Sequence, residues 1–231
     1  MSKKWTANFR LKTLSVFLVL YCVATFVLIP PIALLSGRQK ITHSNNLNPA
    51  NYFSVILNRN YVSPDLQEVL NRVSEHQQIR FLDANFPFID GFPLLPHLSH
   101  NDGQKIDISF LYETQQGQIV DKTKSISGYG VFESPRPNEF NQTTDCKRKG
   151  YFQYDFPKYL SFGSINPHLQ FSESGTKSLI LNVLNKSIVD KMFLEPHLVS
   201  RLNVHHEKVR FHGCRAVRHD DHIHIQVKKR R

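Results

Sequence analysis

The sequence predicts an α+β domain held behind an N-terminal transmembrane helix. Three observations predict it: a long uncharged apolar run near the N-terminus, one stretch of clear helical periodicity, and several short stretches whose apolar residues alternate. On this reading the 231 residues divide into three parts. Residues 1–36 form a cytoplasmic tail and membrane anchor, 37–60 a polar stalk, and 61–231 an extracytoplasmic domain. The expected domain is a small antiparallel sheet with its polar side chains on one face and helices packed on the other.

Leu14 to Leu35 carries no charge. As a helix it would reach about 33 Å, enough for a hydrocarbon core of ~30 Å. Pro30-Pro31 should end or bend that helix near its far end, because proline lacks the backbone donor. Lys3, Lys4, Arg10 and Lys12 precede the run and only Arg38 and Lys40 closely follow it, which leaves the N-terminus in the cytoplasm. A cleaved signal peptide is the alternative, but no small-x-small site follows the run, which favours a single-pass anchor in the cytoplasmic membrane.

The net charge of +10 suggests nucleic acid until it is located. Eight of those units sit in the two tails, at the four N-terminal cations and at Lys228, Lys229, Arg230 and Arg231, so residues 13–227 carry only two. Nucleic-acid binding loses its main support. Seventeen Phe and eight Tyr supply a packed core.

Ser63 precedes Pro64, and Leu66, Val69, Leu70 and Val73 then recur at helical spacing, so a capped helix starts there. Gln78 to Leu82 reads as a strand, and the aromatic, proline-rich loop Asn85 to Pro93 as a cleft wall. Lys105 to Tyr112 alternates, with Ile106, Ile108 and Phe110 on one face and Asp107 and Ser109 on the other. Residues 113–175, rich in Gly, Pro, Ser and Asn and containing Gly128-Tyr129-Gly130, read as loops around the cleft. A helix over Thr176–Leu184, a strand over Ile188–Leu194 and a short helix over Pro196–Leu202 follow. Cys146 and Cys214 face an oxidising compartment; a disulfide and two buried thiols both remain open.

Two stretches carry chemistry. In His97-Leu98-Ser99-His100-Asn101-Asp102-Gly103-Gln104-Lys105-Ile106-Asp107, Gly103 lets a loop turn back so that His100 and Asp107 can meet one ion. In His219-Asp220-Asp221-His222-Ile223-His224, strand alternation places His222 and His224 on one face. One Asp and two His with an open position suit catalytic zinc, which polarises a carbonyl and makes hydroxide available near neutral pH.

Ser99-His100-x-x-Gly103-x-x-x-Asp107 with His219-x-x-His222-x-His224 resembles the penicillin-insensitive murein endopeptidases, relatives of lysostaphin-type and D-alanyl-D-alanine zinc peptidases. The resemblance is confined to motifs, strongest over residues 79–110 and 187–227. It implies His100, Asp107 and His224 as zinc ligands, His222 as general base or transition-state stabiliser, and His97 and His219 as flanking residues that orient ligands or meet developing negative charge. Asp221 stands where one branch of those peptidases has a catalytic glutamate and is the alternative base, and Asp220 is a candidate partner for His222. The implied activity is hydrolysis of peptide cross-links in bacterial peptidoglycan, with the membrane as the other partner. A non-catalytic peptidoglycan-binding module on the same fold is the second reading.

Overall fold

The computed structural model describes residues 2–95 and 97–229; Met1, Pro96, and Arg230 and Arg231 of the basic tail lie outside the described residues. Helix α1 (Ser2–Val23) runs through a π turn (Ala24–Leu28) into α2 (Ile29–Leu35). The prolines therefore do not end the helix. Pro30 and Pro31 remove two donors and push against the preceding turn, and the widened turn just ahead of them absorbs that clash. The helix stops instead at Gly37, in a left-handed conformation (φ +70°), where the Gly37 and Arg38 amides close on Leu34 and Ala33 carbonyls at 3.0 and 2.9 Å. Among the described residues, Leu11–Leu35 is the one helix long and apolar enough to cross a membrane.

Residues 37–60, expected as a stalk, fold onto the domain. Strand β1 (Gln39–Lys40) pairs with β3 (Tyr61–Val62), and β2 (Leu47–Pro49) joins the main sheet; the one-turn helix α3 (Phe53–Ile56) follows. Ile41, Leu47 and Val55 enter the core. The polar residues that suggested a linker bind backbone instead: Asn46 Nδ2 donates to the Ser74 carbonyl at 2.9 Å, and Asn51 Nδ2 to those of Ile126 and Ser127 at 3.1 and 3.0 Å.

Ser63 caps α4 (Pro64–Ser74) by accepting the Leu66 amide at 3.3 Å. Then come β4 (Ile79–Asp83), β5 (Lys105–Ser109), β6 (Tyr112–Glu113), β7 (Ile119–Val120), α5 (Gln142–Arg148), a 3-10 helix (Phe152–Leu160) and β8 (Gln170–Phe171). The chain ends through α6 (Glu173–Leu184), β9 (Val189–Phe193), α7 (Pro196–Leu202), β10 (Val209–Arg210) and β11 (His222–Val227).

The main sheet has six strands in the order β10-β9-β11-β5-β4-β2. It is mixed, not the small antiparallel sheet expected. The four central strands alternate in direction, while β10 lies parallel to β9 and β2 parallel to β4. Both added edges are only two or three residues long, too short to carry a period. A separate three-stranded antiparallel sheet, β7-β6-β8, stands apart from it.

Phe81, Ile106, Ile108, Ile223 and Ile225 join Leu66, Leu70 and Val73 of α4 and Leu179, Ile180 and Val183 of α6 in one core. Alternation then turns Asp107 and His224 to the opposite face. Cys146 on α5 is disulfide-bonded to Cys214, tying the loop before β11 to residues 68 positions earlier.

Ile108 sits between Phe81 of β4 and Ile223 of β11 and is fully buried. Ile108→Ala should cost about 2–5 kcal/mol through lost burial and a residual cavity, read as a lowered thermal midpoint of the detergent-solubilised full chain.

Candidate metal centre

Strand register brings the polar groups together. In the β5–β11 ladder His224 faces Asp107; on the other side of β5, Asp83 of β4 faces Asp107 across a register shift. Directly opposed residues have Cβ atoms about 5 Å apart, so side chains on one face meet at bonding distance. His224 Nδ1 lies 2.8 Å from Asp107 Oδ1. His100, on the loop before β5, completes the group: its Nε2 is 3.2 Å from both His224 Nδ1 and Asp107 Oδ1.

These three atoms form a triangle with sides of 2.8, 3.2 and 3.2 Å. Ligands at 2.0–2.1 Å from a tetrahedral ion stand roughly 3.3 Å apart, so His100, Asp107 and His224 fit one metal ion. The His100 and Asp107 donors are prepared for an ion, whereas His224 Nε2 is buried without a hydrogen-bond partner among the described residues. The Ala84 carbonyl, 3.2 Å from His100 Nδ1, accepts the proton there and leaves Nε2 as a lone pair facing the centre. Burial, only partly opposed by Asp107, lowers His224 to about 4, so its imidazole is neutral near pH 7. Asp107 feels burial pushing it up, but His100, His222 and His224 outweigh that and hold its carboxyl well below the usual range. Metal ligation needs neutral imidazoles and an ionised carboxylate.

The ligands are buried yet line a cavity of about 430 Å³ with His97, His212, His219, His222 and the segment Arg215–Val217. His222 Nδ1 is 2.5 Å from Asp221 Oδ1, and its Nε2 is 3.7 Å from Asp107 Oδ2. Burial pulls His222 down, but Asp221 and Asp107 more than compensate and raise its pKa. Among the described residues no carboxylate pairs with the His219 imidazole; burial, then His222 and His224, drive it well below the ordinary histidine value.

His97 Nδ1 lies between Asp83 Oδ2 at 2.9 Å and Asp107 Oδ2 at 3.1 Å. Those two carboxylates overcome its burial and raise it to about 10, so it is an imidazolium between two anions. Asp83, with His97 and His100, forms a second group able to hold a metal, but Arg59 makes a two-pronged ion pair with that carboxylate. Despite burial, His97 and Arg59 hold Asp83 at about 2. With those partners in place, the His100–Asp107–His224 group is the better cation site.

Three expectations change. Asp221, not Asp220, partners His222; Asp220 pairs with Arg218. Alternation misled here because the regular strand starts only at His222. Asp221 is also the less suitable base, because Oδ1 is engaged by His222 Nδ1 and Oδ2 accepts the Gly130 amide at 2.7 Å. The expected wall of Phe86, Phe88 and Phe92 forms its own ring cluster, with Phe86 and Phe92 stacked at 4.2 Å. The cleft is bordered by Leu98, Ser99 and Arg215–Val217 instead.

Sequence reasoning missed Asp83, Arg59 and Tyr129. Tyr129 OH donates to Asp107 Oδ2 at 2.8 Å, fixing the oxygen that does not face the ligand triangle. Its signal was the flanking glycines. Gly128 and Gly130 have φ of +86° and +79°, and a Cβ on them would fall 2.2 Å from a Leu82 methyl and 2.5 Å from the Pro157 carbonyl oxygen. Only glycine lets the loop bring Tyr129 this close.

No protein-family model matches the chain, and no curated protein is detectably similar to it.

Behind His219, Glu195 accepts the Tyr154 hydroxyl at 2.6 and 2.7 Å and the His219 amide at 2.9 Å. Burial and nearby Asp220 raise Glu195 from 4.5 to about 7. Between those values the folded chain holds more of this proton than the unfolded chain, so stability should fall as pH rises from about 4.5 to 7. Glu195→Gln should remove that component. The difference between wild-type and variant thermal midpoints, followed across this range, isolates it.

Proposed function

We propose that the protein is a membrane-anchored metallopeptidase that cuts peptide cross-links of peptidoglycan on the outer side of the cytoplasmic membrane. The observation that carries the hydrolase reading is the convergence of His100 Nε2, Asp107 Oδ1 and His224 Nδ1 within 3.2 Å on the wall of a cavity. The choice of bond rests on the likeness of the two motifs to the murein endopeptidases. The uncharged helix and its basic flank support the anchor and its orientation. Zinc is the proposed ion because two imidazoles and one carboxylate with an open position suit it. Bound there, it would supply a Lewis acid for the scissile carbonyl and an activated water.

The chain's own groups divide the remaining work. Asp221 accepts the Nδ1 proton of His222 and leaves Nε2 as the nitrogen that takes and returns a proton. His219, neutral near pH 7, can donate to an oxygen on which negative charge develops. The cation His97 and Tyr129 hold Asp107 from the side away from the ligand triangle.

The full chain should bind about one equivalent of zinc by elemental analysis and digest purified muropeptides, with activity abolished by a chelator and restored by zinc. His222→Ala should keep the metal and lose about 10²–10⁴ in kcat. Asp107→Asn and His224→Ala should lose the metal itself. Retained zinc without hydrolysis of any muropeptide by the intact chain would favour the binding module.

A further inference from the structure

A second cavity lies next to the metal centre, and the surface it exposes is mostly apolar, although the paired Arg59 and Asp83 also line it. It holds about 230 Å³. Its mouth is formed by Phe53, Leu57 and Phe162, and its floor by Leu82, His97 and Tyr129. His97 lines both cavities.

The mouth opens beside the apolar N-terminal helix. Tyr21 OH donates to the Ile56 carbonyl at 2.6 Å, and Asn58 Nδ2 donates to Thr25 Oγ1 at 3.2 Å. Thr25 and Ala33 are buried against the domain, whereas Phe17 to Leu20, Phe26 and Val27 are exposed. At 1.5 Å per residue Tyr21, the helix residue bonded to α3, stands about 21 Å from Leu35, roughly two-thirds of the depth of a hydrocarbon core. A helix that spans the membrane therefore carries α3 into the same layer, to a depth set by tilt and local thinning.

The surface there suits that layer. Tyr52, Phe53, Ile56, Leu57 and Phe162 are 47–66 % exposed, and the Phe53 and Phe162 rings lie 6.3 Å apart. Apolar patches of this kind mark interaction surfaces. Phe162 is held at φ +54°, a left-handed conformation unfavourable for a bulky residue, and it turns its ring outward.

We infer that this cavity takes one hydrocarbon chain of a membrane lipid, entered sideways from the bilayer. The inference rests on the membrane anchor proposed above. If the metal centre is a hydrolase of peptidoglycan cross-links, the bound lipid chain lies beside its cleft, with His97 between the two.

The full chain in phosphatidylcholine nanodiscs, doped with a phosphatidylcholine bearing a diazirine at one acyl terminus, tests it. After illumination, adducts are mapped by peptide mass spectrometry and zinc is measured on the same sample. Adducts are expected on Leu82 and Tyr129 as well as on the Leu11–Leu35 helix. Leu57→Arg and Phe162→Asn, the latter tolerant of the left-handed backbone, should each lose the floor adducts and keep the helix adducts. Adducts confined to the helix overturn the inference, and adducts on neither overturn it together with the anchor. Floor adducts without zinc support the lipid cavity and count against the metallopeptidase; zinc without floor adducts does the reverse.

Discussion

Antiparallel pairing of β5 with β11 sets His224 against Asp107, and the rest of the centre is placed relative to that pair. The same register puts Ile106 and Ile108 opposite Ile225 and Ile223 in the core. A slip of one residue would exchange these sets, moving isoleucines into the cleft and imidazoles among the helices. Burial of the isoleucine face is therefore what holds the ligand face in position. Folding energy and site geometry have one source here.

Burying so many ionisable groups is costly unless each charge has a partner. The centre meets this condition through pairs: Asp83 with Arg59 and His97, Asp107 with His97 and the ligand imidazoles, and Asp221 with His222. Tyr129 and the Gly130 amide add neutral donors to Asp107 and Asp221. A divalent ion entering this network would weaken proton binding at the nearby histidines, so metal uptake and proton release are linked. The two-glycine loop and the Cys146–Cys214 crosslink bring distant chain to the cleft without a regular element.

The N-terminal helix is more than a tether. Its hydrogen bonds with Ile56 of α3 and with Asn58, and the burial of Thr25 and Ala33, make it part of the domain surface. The segment between them keeps helix and sheet in register through β1 and β2. In the proposed anchored state, a helix joined in this way sets which side of the domain faces lipid, and that side holds the apolar cavity.

Much of this was legible in the chain itself. The apolar run, the Ser63-capped helix, the central strands and the short helix at Pro196 follow from local composition and period, which act within a few residues. The two histidine motifs marked the candidate ligands because ligand-bearing types cluster at short spacing. Tertiary structure decided the rest. The mixed sheet edges are too short to show a period, and the polar residues of 37–60 look like linker until their partners on other segments are known. Asp83, Arg59 and Tyr129 carry no local mark of a site, since each gains its role only from groups tens of residues away. A sequence determines what its own neighbourhood can form; which distant carboxylate an imidazole meets is set by strand pairing and by the core that enforces it.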